Sequence, residues 1–157
     1  MQVGEPLPAL RGEFLSGRTA ILPEAAGGRV ALLLLGFTYE SRFAVEAWAG
    51  RFRRDFDGDP RVTFYEIPMV GGIARLGKWF IDGGMRRGTS KADYENVVTV
   101  YGGTEAWKRR VGFGDPNAAY LILIGQGGRV ARQVSGVFGE EPYQELRSEV
   151  SRLLDGK

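Results

Sequence analysis

The run Val30 to Phe37, VALLLLGF, narrows the folds open to this chain more than any other stretch. It has the length of a strand and no polar alternation, so it reads as a strand covered on both faces. The chain must therefore supply one layer for each side of it. An amphipathic segment follows at once. Ser41, Val45, Trp48, Phe52 and Phe56 recur on one face of a 3.6-residue period, which predicts a helix from about Glu40 to Phe56. Arg42, Glu46, Arg53 and Asp57 fall on the opposite side, and DGDP at 57–60 ends the helix. Val62 to Ile67 (VTFYEI) has the β-branched and aromatic content of a second strand. A β–α–β unit of this kind demands a right-handed crossover and a parallel strand pair.

The rest of the chain continues the alternation. Ile73, Leu76, Phe80 and Ile81 predict a glycine-weakened helix over about 72–87, with TSKADYE as a loop after it. Val97 to Tyr101 is a third strand, and Glu105 to Val111 a short helix carrying Trp107, with Thr104 as its cap. Tyr120 to Ile124 is a fourth strand, GQGG at 125–128 a turn, and Arg129 to Val134 the returning arm of a hairpin. Glu140, Glu141 and Pro142 open a final helix whose buried stripe is Tyr143, Leu146, Val150 and Leu153. Residues 1–28 read as short extended pieces and turns. This order predicts an α/β fold with a mixed central sheet and helices on both faces. At 157 residues the expectation is one domain over 1–157, with 1–28 an N-terminal extension packed on the core.

Composition removes whole classes of chemistry. The chain has no cysteine, which excludes thiol redox chemistry, peroxidase activity, disulfides and thiolate metal sites. It has no histidine, so the usual general base near neutral pH and the commonest metal ligand are also missing. Asp82, Asp93 and Glu95 have no metal-binding spacing, so neither a metal nor a cofactor is expected. Arginines cluster at 51, 53 and 54 and at 86 and 87, beside Lys108, Arg109 and Arg110, yet the net charge is only +2 and no nucleic-acid-binding motif is present. No apolar run approaches the roughly 18 residues of a membrane span, and no signal peptide is visible at the N-terminus. The expectation is a soluble protein, cytoplasmic if the chain is complete and periplasmic or organellar if a leader has been removed.

Three stretches carry a family resemblance: GEPLPALRGEFLSGRTAILPEAAGGRVALLLLGFTYES, RVTFYEIP and AAYLILIGQGGRV. Together they resemble the thioredoxin-like superfamily, in the peroxiredoxin-like and Sco-type branch with an N-terminal extension. Within it the sequence is most similar to the mitochondrial ATP-synthase assembly-factor family and its bacterial relatives. The matching features are Gly4 with Pro8, Leu22-Pro23 with Gly28, Trp48, and Tyr120-Leu121 with Gly128. In Sco-type proteins the strand–helix hinge resembles GFT-x-C-x-x-x-C. Here Gly36, Phe37 and Thr38 match, and the two cysteine positions fall on Glu40 and Ala44. The superfamily's cis-proline position falls on Ala119, where a trans peptide is expected because a non-proline cis bond costs about 3 kcal/mol.

Candidate site residues follow from position and type. Thr38, Tyr39, Glu40 and Arg42 stand where a central strand ends, which is where α/β folds bind ligands. Ser41 and Glu40 lack a proton acceptor for nucleophilic work and read as helix-capping groups. MVGG at 69–72 reads as a helix start whose backbone N–H groups could hold an anion. Trp79, Arg86 and Arg87 combine the residue types favoured in binding hot spots. The resulting expectation is a redox-inactive thioredoxin-like protein with a noncovalent binding, assembly-factor or chaperone-like role. Its contact surface comprises Thr38, Tyr39, Glu40, Arg42, Trp79, Arg86, Arg87 and the loop at Ala119, and its partner is a protein or peptide. The alternative is a non-redox enzyme or small-anion binder using the hinge, with Arg42 or Arg75 on the anion and Glu40 as acid–base. A designed scaffold without activity is a third reading.

Overall fold

The computed structural model describes residues 1–71 and 91–156. The predicted helix at 72–87, with Arg75, Trp79, Arg86 and Arg87, lies outside the described residues. The run at 30–37 forms β3 (Val30–Gly36), in which every residue is buried. It pairs in parallel with β4 (Val62–Pro68), from Val30 opposite Val62 to Gly36 opposite Pro68. On its other side it pairs antiparallel with β6 (Ala119–Ile124), which turns back into β7 (Val130–Gly136). The resulting sheet has the order β4-β3-β6-β7.

Alternation along β3 divides the core in two. Val30, Leu32 and Leu34 face α1 (Arg42–Phe56) and the C-terminal helix α3 (Glu140–Leu154), meeting Trp48, Phe52, Tyr143, Leu146 and Val150. Ala31, Leu33 and Leu35 face the other way, onto Leu10, Phe14, Leu22, Val98, Val100 and Trp107. Trp107 comes from the short helix α2 (Thr104–Val111), so helices cover both faces. The fold is thioredoxin-like α/β, as the sequence led us to expect.

Residues 1–28 supply more than turns. β1 (Leu10–Phe14) and β2 (Thr19–Leu22) form an antiparallel hairpin, followed by a 3-10 turn at Glu24–Ala26. β1 also pairs with β5 (Val98–Thr99), giving a second sheet of order β2-β1-β5. The third strand is thus shorter than predicted, but Val97 and Val100 at its ends make parallel bridges to Glu66 and Met69. β5 thereby joins the two sheets. Gly12 marks the close approach: a Cβ there would lie 2.5 Å from the Thr99 carbonyl oxygen. The segment read as a loop before β5 is a 3-10 helix over Lys91–Asn96. Among the described residues no helix is long and apolar enough to cross a membrane.

α1 and α3 are latched by a polar group at their crossing. The buried Tyr143 hydroxyl donates to Asp55 Oδ2 at 2.6 Å. Arg51 donates to the same Asp55 oxygen at 3.2 Å and reaches Glu140 through two further bonds, at 2.6 and 3.0 Å. The Arg51 guanidinium also lies 4.6 Å from the Tyr143 ring centroid. The Tyr143 hydrogen bond is the main cause holding the Asp55 carboxyl below its ordinary range, followed by the Arg51 hydrogen bond and charge, against a cost of desolvation. A depressed carboxyl stabilises the fold above its unfolded pKa and loses that contribution as pH falls through the folded value. Tyr143→Phe is therefore expected to lower stability by about 1–2 kcal/mol near neutral pH. The deficit should shrink below about pH 4, where unfolded aspartate binds its proton. Urea unfolding at both pH values checks this, and a deficit independent of pH would contradict the role given to Asp55.

Candidate functional site at the strand–helix corner

β3 delivers its C-terminal end into a tight corner. Phe37 is buried, and its ring meets Phe113 edge-on at 5.2 Å and Tyr120 at 5.7 Å. The Tyr120 hydroxyl accepts the N–H groups of Gly114 (2.9 Å) and Asp115 (3.0 Å), fixing the loop ahead of β6. Thr38 then joins the two sides of the corner. Its hydroxyl donates to the Pro116 carbonyl, and its Oγ1 accepts the Ser41 N–H at 3.1 Å. The hinge and the loop before Tyr120 therefore form one surface.

The capping role expected of Ser41 falls to Thr38 instead. Ser41 makes no side-chain cap bond. Its fully buried hydroxyl turns back and donates to the Thr38 carbonyl at 2.6 Å. The reason is the space over Gly36, where a Cβ would lie 2.6 Å from Ser41 Oγ. Two N–H groups of MVGG are committed, Met69 to the Gly36 carbonyl (2.8 Å) and Val70 to that of Val100 (2.9 Å), while Gly72 lies outside the described residues. Those two groups hold the sheet together and are not available to an anion.

Three of the candidate residues share the first turn of α1 and its approach. Arg42 Nη1 donates to the Tyr39 carbonyl at 3.0 Å. Its guanidinium carbon lies 3.6 Å from the Tyr39 ring centroid and 4.1 Å from that of Phe43. Phe43 is 63% exposed, the largest aromatic on display among the described residues. Glu40 is exposed. Ala119 does not belong to the surface. It is fully buried in β6, pairs with Gly136 and packs in the core under α1 and α3. The Ala118–Ala119 peptide is trans, the only cis bond among the described residues being Leu22–Pro23. Asp93 and Glu95 pair with Arg53 and Arg18 respectively.

Among the described residues, one carboxyl raised strongly by its surroundings was not among the candidates. Glu66, half-buried on β4, borders a small cavity of about 30 Å³ with Gly36, Arg42, Val45, Glu46, Ile67 and Pro68. Burial first, then the charge of Glu46, pushes its carboxyl up to about 7; Arg53 opposes and Asp93 adds to the rise. The flank of α1 assigned to solvent thus faces β4 in part: Arg42 and Glu46 line this cavity, and Arg53 lies 5.1 Å from the Phe64 ring centroid. A signal for Glu66 was present in VTFYEIP, where one acid interrupts an otherwise apolar and aromatic strand.

No protein-family model matches the sequence, and no protein of curated function matches it in sequence. Solved structures share the fold. A Chlorobium tepidum protein assigned as the thiol:disulfide interchange protein DsbE superposes with a TM-score of 0.65 at 13% identity, covering 98% of this chain and 99% of its own. BsSco, of the Sco family of cytochrome c oxidase assembly proteins, gives 0.61 at 17% identity with both chains covered fully. A thiol peroxidase from Chromobacterium violaceum gives 0.60 at 15%, covering 95% and 87%. These likenesses establish the thioredoxin-like fold and do not extend to the ATP-synthase assembly-factor family. The absence of cysteine separates this chain from thiol-based chemistry.

The raised Glu66 carboxyl carries a stability consequence. Its folded pKa lies above the unfolded one, so the native state holds this proton more tightly and loses stability as pH climbs from about 4.5 to about 7. Glu66→Gln removes that slope. It is expected to match the parent near pH 4 and to exceed it by about 2 kcal/mol near pH 8, after allowance for partial solvent access. Denaturant melts at the two pH values measure this, and an equal gap at both would refute the assignment.

Proposed function

We propose that the protein is a redox-inactive, noncovalent binding protein that uses the strand–helix corner to grip a protein or peptide segment carrying an acidic and an apolar side chain. The observation that carries this reading is the Tyr39–Arg42–Phe43 stack. Among the described residues no carboxylate forms an ion pair with Arg42. Its charge is aimed by the two rings, and Phe43 offers apolar area beside it. Arginine and aromatics in this arrangement are the residue types that dominate binding hot spots. The loop tied to Thr38 through Pro116 extends the same surface. An assembly-factor or chaperone-like role, similar to that of the ATP-synthase assembly factors, rests on the sequence motifs quoted above and on this surface.

The enzyme reading has weaker support. Glu40 stands exposed to solvent rather than in a pocket that could hold a substrate. The nearest cavity holds about the volume of one water, whereas small-molecule sites measure roughly 300–1,000 Å³.

An array of synthetic peptides combining aspartate or glutamate with leucine or phenylalanine tests the proposal. The parent protein should bind a subset of them. The double variant Arg42→Ala/Phe43→Ala, confirmed folded, should lose about tenfold or more in affinity for that subset. Equal binding by the double variant, or binding indifferent to the peptide's acid, would rule out this surface.

A further inference from the structure

The opposite end of the sheet carries a second feature, independent of the corner. Two clefts meet along the edge of β4. One, about 580 Å³, is lined by Phe14, Arg18, Thr19, Arg29, Tyr65 and Glu95, among others. The other, about 290 Å³, runs under Phe52, Phe56 and Phe64. Both include Arg29, Thr63 and Asn96, which therefore form the junction.

Arg29 is fixed in place there. Its Nε donates to the Ala26 carbonyl at 2.7 Å, and its Nη2 approaches the Ala25 carbonyl at 3.5 Å and the Tyr65 hydroxyl at 3.4 Å. Tyr65 in turn donates to the Ala25 carbonyl at 3.1 Å. Every one of these partners is neutral. The other charges around the clefts are matched: Arg18 with Glu95, Arg53 with Asp93, and Asp59 with Arg61. Asp57 sits exposed at the outer rim of the smaller cleft, which the larger one does not include. The larger cleft thus holds one half-buried guanidinium without a carboxylate, oriented before any ligand arrives, with Thr19, Thr63 and Asn96 as further polar groups.

We propose that this junction is a binding site for the oxyanion group of a small molecule, a carboxylate or a phosphate, anchored by Arg29 and set against the Thr19, Thr63 and Asn96 side chains. A guanidinium whose orientation is already fixed loses little freedom on pairing with such a group. A cleft of about 580 Å³ matches the size of small-molecule sites. The site lies at the N-terminal end of β3 and β4, roughly 20 Å along the strands from the corner. It owes nothing to the peptide-binding surface.

Proton–nitrogen NMR of the full chain tests this, following the Arg29 Nε–H, the Asn96 side-chain amide and the Thr19 and Thr63 amides. Sodium phosphate and sodium succinate are titrated separately, with sodium chloride holding ionic strength constant. Saturable shifts confined to these groups with phosphate, with succinate or with both are expected, in the millimolar range, and the pattern tells which oxyanion the cleft prefers. Arg29→Gln should weaken the response about tenfold or more, and Arg29→Lys should restore part of it. Should Arg29→Gln fail to fold, Thr19→Val combined with Thr63→Val replaces it and should weaken the same shifts. No saturable shift beyond the chloride control, or shifts that persist unchanged in the variants, would overturn the proposal.

Discussion

β3 has no face, edge or end in contact with water, and that constraint shapes the rest of the molecule. Its side chains alternate between two apolar layers, so each layer has to be supplied by other parts of the chain. One is supplied by α1 and α3. The other is supplied largely by the N-terminal hairpin and β5, with α2 contributing its tryptophan. A backbone buried this completely must also find its hydrogen bonds in neighbouring strands, which β4 and β6 provide on either side. The corner inherits its rigidity from this arrangement. Gly36 is still in register with Pro68 when the chain turns, so Thr38 to Phe43 are presented from a fixed base.

At that base this protein departs from the thiol-dependent proteins that share its fold. The positions aligned with the Sco-type cysteine pair hold an exposed glutamate and a buried alanine. Neither can supply a thiolate or close a disulfide. What the corner offers is a cation beside two aromatic rings, the residue types common in binding hot spots. Glu66, whose carboxyl is strongly raised, stands behind the corner over a cavity too small for a substrate.

Much of the architecture could be read from the chain because its signals are local. An eight-residue apolar run, a clean helical stripe from Ser41 to Phe56 and a Gly-rich turn between two strands each declare themselves within a short window. What escaped depended on distant partners. The short strands of the first 28 residues gain meaning only from β5, which is itself two residues long. Ser41 has the composition of a cap, yet its hydroxyl turns inward because Gly36, five residues earlier, leaves space there. Ala119, which the resemblance puts at the cis-proline position of the corner, lies in the core, since the strand begins one residue sooner than expected. Arg29 gave no signal at all. Its isolation from acids is a property of how two sheets meet, not of its neighbours in sequence.

That meeting of sheets has a mechanical side. β5 and the Val100 that follows it bond to both sheets, through β1 on one flank and through Pro68, Met69 and Val70 on the other. Met69 is in turn tied to Gly36. A tug on the amino-terminal hairpin therefore has an unbroken load path, one short rung after another, to the turn that displays Phe43. The first strands of the molecule are fastened to exposed Phe43 as a lever is to its tip.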